Sequence, residues 1–474
     1  MKKIIALLLA LTIVFGLVAC ANDTTAEQPQ APAAKEEAAP VEPGAEAPAE
    51  APTEKQKLTI SVLMGADPEK PELQCYLDWV KAAYETWELK DQVELEILEN
   101  YSSSNDYLTK IQLEMSDEKT CPDIVWEDSF QLTADVAAGY IADITPYVTE
   151  WETWNNGSLI DSMKNQVTIS GAVYGMPSTT DVRGMIYNKN VLVAAGVLSS
   201  LEEDWQPTTW EELLNDLRAI RDNTDAIPLW SPMSAAEGEG TSMHNFENWF
   251  YATGEELMYN DDGNWNLDTT AWETAVGFLH TVVNEGLTMP TAQLLDASPG
   301  SYALPAFQND EMGVILHNTS QISKFAPGAA NEMTNGNYLD CVGIAAVPTV
   351  NGDGAKFATM SGGLCWAVPA LSDQQELGAK FLMQMMDPDL YCKFIVAYNR
   401  MTDMDLSAYP EYTERDFAQD SADLVPYTHF RPHHETYSSV STCIYQMVEN
   451  IATGMSVEDA LEIFRADAEF AISN

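Results

Sequence analysis

The stretch from Gly171 to Gly196, GAVYGMPSTTDVRGMIYNKNVLVAAG, constrains the fold of this chain more than any other. A Ser170-Gly171 turn leads into a short extended run and a Gly-Met-Pro stop. Val182 to Tyr187 then alternates with β-friendly residues, and a helical segment begins at Asn188 and closes at Gly196. The middle, STTDVRG, is polar and lacks an apolar face, which argues against a place in a core. This pattern predicts backbone crossing between two lobes, with Asp181 and Arg183 at the seam. Pockets favour such interfaces, so a hinged cleft is expected there.

The rest of the chain supports two lobes. Leu58 to Asn474 exceeds the size at which one hydrophobic core usually suffices. Strand and helix patterns alternate along it. Strands are expected at Leu58 to Met64, Val93 to Glu99 and Asp123 to Trp126. Helices are expected near Pro71 to Trp87, Asn105 to Met115, Val136, Thr209 to Arg221, Ala271 to Asn284, Ser372 to Met386 and Val457 to Ala471. Three carry capping pairs: Thr209 with Glu212, Ser372 with Gln375, and Ser456 with Asp459. Such alternation predicts an α/β fold with parallel-rich sheets and helices on both faces.

The N-terminus reads as an address. Lys2 and Lys3 precede the uncharged apolar run Ile4 to Ala19, too short for a confident membrane span and suited to a signal peptide. Leu17-Val18-Ala19-Cys20 resembles the lipobox of bacterial lipoproteins, in which the cysteine becomes the lipidated first residue. Residues 1–20 are thus expected to be a signal peptide, with lipidation at Cys20. Residues 21–57 turn to Ala, Pro, Glu and Thr without apolar periodicity, which predicts a disordered tether.

Net charge is -50 at pH 7, with 73 Asp and Glu against 23 Lys and Arg. No basic stripe exists to release counterions, so nucleic acid is excluded as a partner. Six cysteines follow Cys20, at positions 75, 121, 341, 365, 392 and 443. None forms C-x-x-C, and most lie in apolar runs as small core residues. Motifs for a serine nucleophile elbow, a zinc helix, a P-loop or a dinucleotide fold are absent. Asp261-Asp262-Gly263 places its glycine too early for a calcium loop, Gly238-Glu239-Gly240 reads as a loop, and His433-His434 lacks a third ligand. No metal, cofactor or catalytic residue is expected.

SGAVYGMP followed by MIYNKNVLVAAG resembles a hallmark of the extracellular solute-binding proteins of ABC importers, sugar-binding type. Further blocks resemble that family in the same order: Ser103 to Trp126, Ala137 to Val148, PTTWEELL at Pro207 to Leu214, AFQNDEMGVILHNTSQISKF, VGIAAVPTVNGDG and TMSGGLCWAVPA. The fourth departs from the family pattern at Glu311-Met312, and Asn318-Thr319 stands where Gly-Trp is usual. The resemblance implies a two-lobed, periplasmic-binding-protein-like (type II) fold that closes on a solute and hands it to an ABC permease. It implies crossovers near Ser178 to Val182, His317 to Ser320 and Ala367 to Ala370. The first lobe is expected to comprise 58–178 and 318–368, and the second 179–317 and 369–474. A lipid-anchored monomer on the extracellular face of the membrane follows from the same likeness.

Candidate ligand contacts follow from those positions. Trp126, Glu127 and Asp128 trail a strand, where an indole can lie on a sugar's C–H face and a carboxylate can accept from hydroxyls. Trp230 follows a strand-like run in the second lobe. Asp181, Arg183 and Asn318 sit at expected crossovers, Gly362 and Gly363 admit close backbone approach, and Trp366 follows them. An unpaired Arg183 would suit a carboxylate or phosphate on the solute. The leading expectation is a carbohydrate, an oligosaccharide or modified sugar. The alternatives are a peptide or polyamine solute, or a surface glycoside hydrolase using Asp128 and Asp181 as its carboxylate pair.

Overall fold

The computed structural model describes residues 55–473 apart from 70–72, 259–263, 297 and 299. The signal peptide, Cys20, nearly all of the tether and the Asp261-Asp262-Gly263 turn lie outside the described residues. The last tether positions, Gln56 and Lys57, already belong to the first strand.

Twelve strands are present among the described residues: β1 (Gln56–Leu63), β2 (Val93–Asn100), β3 (Ile124–Asp128), β4 (Thr168–Ile169), β5 (Ala172–Val173), β6 (Gly175–Asn188), β7 (Ile227–Trp230), β8 (Met312–Asn318), β9 (Val342–Ala345), β10 (Val347–Pro348), β11 (Phe357–Ala367) and β12 (Thr428–Phe430). The main sheet runs β2-β1-β3-β11-β6-β8-β7, with β9 beside β6 and with β10 and β12 beside β11. At one end β1 is parallel to β2 and β3, and at the other β7 is parallel to β8. The long central strands β6 and β11 are antiparallel to each other, with Gly362 opposite Asp181. Leu58, Ile60 and Val62 of β1 are buried together with Leu63 and Met64, the composition expected of a parallel strand covered on both faces.

The helices obey the same logic. Trp210–Asn223 buries Trp210, Leu213, Leu217 and Ile220 along one stripe. Its start is fixed by Thr209 Oγ1, which accepts the Glu212 N–H at 3.1 Å, while the Glu212 carboxylate accepts the Thr208 N–H at 2.8 Å. Ser456 Oγ likewise accepts the Asp459 N–H at 3.1 Å. Ser372 behaves otherwise. Its hydroxyl donates to Asp123 Oδ1 at 2.6 Å, and the helix begins only at Gln375.

Buried side chains form two large cores. One gathers residues from Leu58 to Met176 and from Cys365 to Leu406. The other gathers Met185 to Met360 and Tyr437 to Ala468. Core membership therefore corrects the expected lobe boundaries. Residues 318–360 pack with the second core, and 365–406 with the first. The crossings correct likewise: the chain changes core within β6, within β11, and between Leu406 and Tyr437, while 317–320 and 367–370 each stay within one core. The reason is strand length, since β6 and β11 are each long enough to contribute side chains to both cores. The six cysteines are free thiols, four of them buried.

Candidate functional site

A cavity of about 660 Å³ lies between the two cores, beyond the carboxyl ends of β1 and β3 and alongside the middle of β6 and β11. The local structure explains its walls. Strand β3 ends at Asp128, whose carboxylate accepts the Phe130 N–H at 3.3 Å and starts the helix Ser129–Ala137. Strand β8 ends at Asn318, which caps the 3-10 turn Thr319–Phe325 by accepting the Ser320 N–H at 2.9 Å. At Gly362 an added Cβ would collide with Met243 Cε and lie 3.1 Å from Arg431 Nη2. A side chain there would oblige the flexible tip of Met243 to move aside.

The floor is a network of buried ions. Asp181 pairs with both Arg183 and Arg400, accepts from Asn318 Nδ2, and receives the Gly362 N–H at 3.3 Å. Arg183 Nε donates to His244 Nδ1 at 3.0 Å. Arg431 donates to Asp128 at 2.6 Å and to Ser129 Oγ at 3.3 Å, and lies 3.5 Å from Glu239. The Tyr437 hydroxyl lies 2.7 Å from Glu239 and 2.6 Å from Glu247. Asp128 and Arg431 thereby tie β3 of the first core to the approach to the second core's C-terminal helices.

Burial and charge divide the protonation states. Burial alone would raise the Asp181 carboxyl, but Arg183, Arg400 and Arg431 outweigh it and hold that carboxyl below its usual range. Burial, reinforced by Glu239, pushes Glu247 up to about 8, so it keeps its proton at neutral pH. His317 is pushed down to about 3 by burial and by Arg183. His244 falls well below its ordinary value through burial and the neighbouring His317. The two neutral imidazoles stack at 4.1 Å. Ser102 Oγ, Trp126 Nε1, His317 Nδ1 and Arg400 Nε, all on cavity-lining residues, are buried without a hydrogen-bond partner. Buried polar atoms are nearly always paired, so these four are exceptions gathered on the cavity's walls. Among the described residues no group of three His, Cys, Asp or Glu side chains is placed to hold a metal.

Of the residues singled out in the sequence, Trp126, Asp128, Asp181, Arg183, Asn318, Gly362 and Gly363 line this cavity. Trp126 is only 3% exposed and packs edge-on against Tyr107 at 5.7 Å, so little of its face is open. Arg183 is paired, not free. Three placements are corrected. Glu127 is fully buried, because strand alternation turns it away from the side shared by Trp126 and Asp128, and burial raises its carboxyl well above the usual range. Trp230 is buried at the end of β7, lies outside the cavity lining, and stacks on His317 at 5.9 Å. Trp366 is packed in the first core between Tyr76 at 5.8 Å and Trp79 at 6.4 Å.

Sequence reasoning missed Arg400, Arg431, Glu239, His244, His317 and Tyr398. One signal existed for the arginines. In a chain this poor in cations, Tyr398-Asn399-Arg400-Met401 and Phe430-Arg431-Pro432 set a guanidinium beside aromatic residues with no carboxylate next to it. The glycosidase alternative needs one carboxyl with a raised pKa. Asp181 is held in the opposite direction and Asp128 is paired with Arg431.

Known proteins agree with this architecture. A binding protein of Brucella abortus is 25% identical over 185 residues, covering 35% of this chain and 43% of that protein. The diacetylchitobiose-binding protein DasA of Streptomyces coelicolor is 24% identical over 328 residues, 69% of this chain and 68% of its own length. The chain thus spans less than half the length of the Brucella relative it matches. Among solved structures, the GacH receptor of Streptomyces glaucescens, known unliganded and with acarbose, superposes with a TM-score of 0.71 at 16% identity. That superposition covers 89% of this chain and 100% of the receptor. An ABC transporter solute-binding protein of Thermotoga lettingae bound to α-D-tagatose superposes at 0.71 and 19% identity, over 88% and 100%. These likenesses establish the two-lobed fold. The model of the bacterial extracellular solute-binding proteins matches residues 81–388, well over half of the sequence, and the chain belongs to that family.

Proposed function

We propose that this protein is the substrate-binding lipoprotein of an ABC importer and captures a carbohydrate, an oligosaccharide or modified sugar, between its lobes. The observation that carries the reading is the cavity itself. It lies between two cores, is walled by charged and neutral hydrogen-bonding side chains, and has four buried polar atoms without partners on its lining residues. Hydroxyl-rich rings supply donors and acceptors to match such a wall. Relatives and structural neighbours named for diacetylchitobiose, acarbose and tagatose support the solute class. Because both lobes contribute to the wall, a solute that bonds both favours the closed arrangement and shifts the population toward it. The loaded form then meets a permease. Lipidation of Cys20 and a tether from residue 21 up to the first strand hold the monomer at the outer face of the membrane, and binding there needs no catalysis.

The test is a screen of the purified protein against mono- and oligosaccharides, read by tryptophan fluorescence and thermal shift. A true ligand at a hundred times its Kd stabilises the folded state by about 2.7 kcal/mol. Silence across the sugars together with a response to peptides or polyamines would replace the carbohydrate reading, and turnover of a chromogenic glycoside would replace binding with catalysis.

A further inference from the structure

The charges of the cleft leave a remainder. Its described lining residues include four carboxylates, Asp128, Asp181, Glu237 and Glu239, and three guanidiniums, Arg183, Arg400 and Arg431. Arg183 and Arg400 share Asp181, and Arg431 lies between Asp128 and Glu239. The imidazoles of His244 and His317 are neutral. Three charges of each sign therefore cancel, and the carboxylate of Glu237 is left over. Among the described residues it has no hydrogen-bond or ion-pair partner. Burial alone raises its carboxyl, with no cation beside it to work the other way. The backbone under it is fixed. After β7 comes the 3-10 turn Ala235–Glu237, which Ser234 Oγ starts by accepting the Ala236 N–H at 3.1 Å, while the Ala235 N–H donates to Glu449 at 2.5 Å. The Glu237 side chain is half-buried, and its Oε2 lies 3.8 Å from where a Cβ on the cleft residue Gly240 would stand.

We propose that the solute is an amino sugar, an oligosaccharide carrying at least one free amine, and that its ammonium group pairs with Glu237 in the cleft. The inference rests on the carbohydrate reading above and narrows it. An ionised carboxylate only accepts, so whatever meets Glu237 is a donor. A protonated amine brings N–H donors together with the one positive charge the cleft lacks, and a hydrogen bond charged on both sides is the stronger kind. A hydroxyl brings the donor but not the charge. Once the lobes close, it leaves an ion shut away from water without a counterion, which is the costly arrangement. An acidic sugar is disfavoured twice, by Glu237 itself and by the net charge of -50, and that same charge draws cations toward the molecule. The cavity of about 660 Å³ is of ordinary ligand size, so the amine arrives with its sugar ring.

Isothermal titration of the purified protein tests this with sugars that differ at a single carbon. The disaccharide and tetrasaccharide of chitosan carry free amines, their N-acetylated forms carry amides, and cellobiose and cellotetraose carry hydroxyls there. Spermidine serves as an amine without a sugar. The free amines should bind about tenfold tighter than either neutral form, with the margin shrinking as salt is added. Glu237→Gln keeps the size and removes the charge. It should weaken the amino sugars about tenfold, down to the level of the N-acetylated forms, and leave the melting temperature of the unliganded protein unchanged or higher, because no partner is lost. Neutral sugars binding as tightly as the amines would overturn the amino-sugar assignment and leave the carbohydrate reading standing. So would a preference for amines that survives Glu237→Gln, or a loss of binding that comes with a lowered melting temperature. Binding of spermidine with silence from every sugar would overturn both readings, as would silence from all of them.

Discussion

Asp181→Asn offers the sharpest test of the ion network. The carboxylate is buried on the cleft floor and neutralises Arg183 and Arg400 together, while accepting from Asn318 and from the Gly362 amide. Arg183 is 3% exposed and the Arg400 side chain 17%, so neither guanidinium can escape to water when its partner is lost. Removing one member of a buried pair typically destabilises by about 3–5 kcal/mol, because a charge is left uncompensated. Here two guanidiniums lose their shared partner, which favours the upper half of that range. At about 2–4 °C per kcal/mol for bodies the size of one lobe, the melting temperature should fall by on the order of 10 °C. Differential scanning calorimetry measures it. Adding Arg400→Met to Asp181→Asn should recover part of the loss, since removing both members of a buried pair is far milder than removing one. If Asp181→Asn melts within about 1 °C of the parent protein, the carboxylate is not holding the two arginines and the electrostatic account of the floor is wrong.

Three further outcomes are expected. Between pH 6.5 and 8 the folded Glu247 carboxyl keeps a proton that the unfolded chain has already lost near 4.5, so stability falls as pH rises, by at most about 1.4 kcal/mol per unit. Below 6.5 the buried neutral His317 works the other way, which is why urea titrations at pH 6.5 and 8, repeated with Glu247→Gln, isolate the carboxyl; equal slopes in the two proteins would refute it. Trp230→Ala should destabilise by about 3–5 kcal/mol as a core truncation with under threefold change in ligand affinity, and a loss of tenfold or more would return the indole to the binding wall. Cys20→Ser should move the protein from the membrane fraction to the medium, and persistent anchoring would refute the lipobox.

The fold was legible wherever periodicity was strong. The helices Ala271–Asn284 and Trp210–Asn223 and the strands β1 to β3 stand within a few residues of their expected positions, because apolar spacing alone dictates which face is buried. The helix Tyr437–Ala452 went unread although it buries Val440, Ile444, Met447, Val448 and Ile451, since no cap marks its start. The polar STTDVRG segment does cross between cores, but as the middle of an unbroken strand whose serine, threonine and arginine are buried against a neighbouring strand. The cleft was less legible. Asp128, Asp181, Arg183 and Asn318 were found by their place at strand ends and crossings. Tryptophans attracted attention by composition, yet Trp230 and Trp366 are core residues, because a large ring beside a strand most often fills the space between layers. Arg400 and Arg431 approach the cleft from more than two hundred residues away, a relation that no local pattern encodes.

The interleaving of the two cores has a consequence for how the polypeptide acquires its shape. Neither half is closed by its own early sequence: the first needs residues beyond Cys365, and the second needs the final turns up to Ala468. Contacts of that separation form late and slowly, since long loops must close before they reward the chain. A nascent polypeptide of this kind stays without a finished domain until nearly all of it has been synthesised.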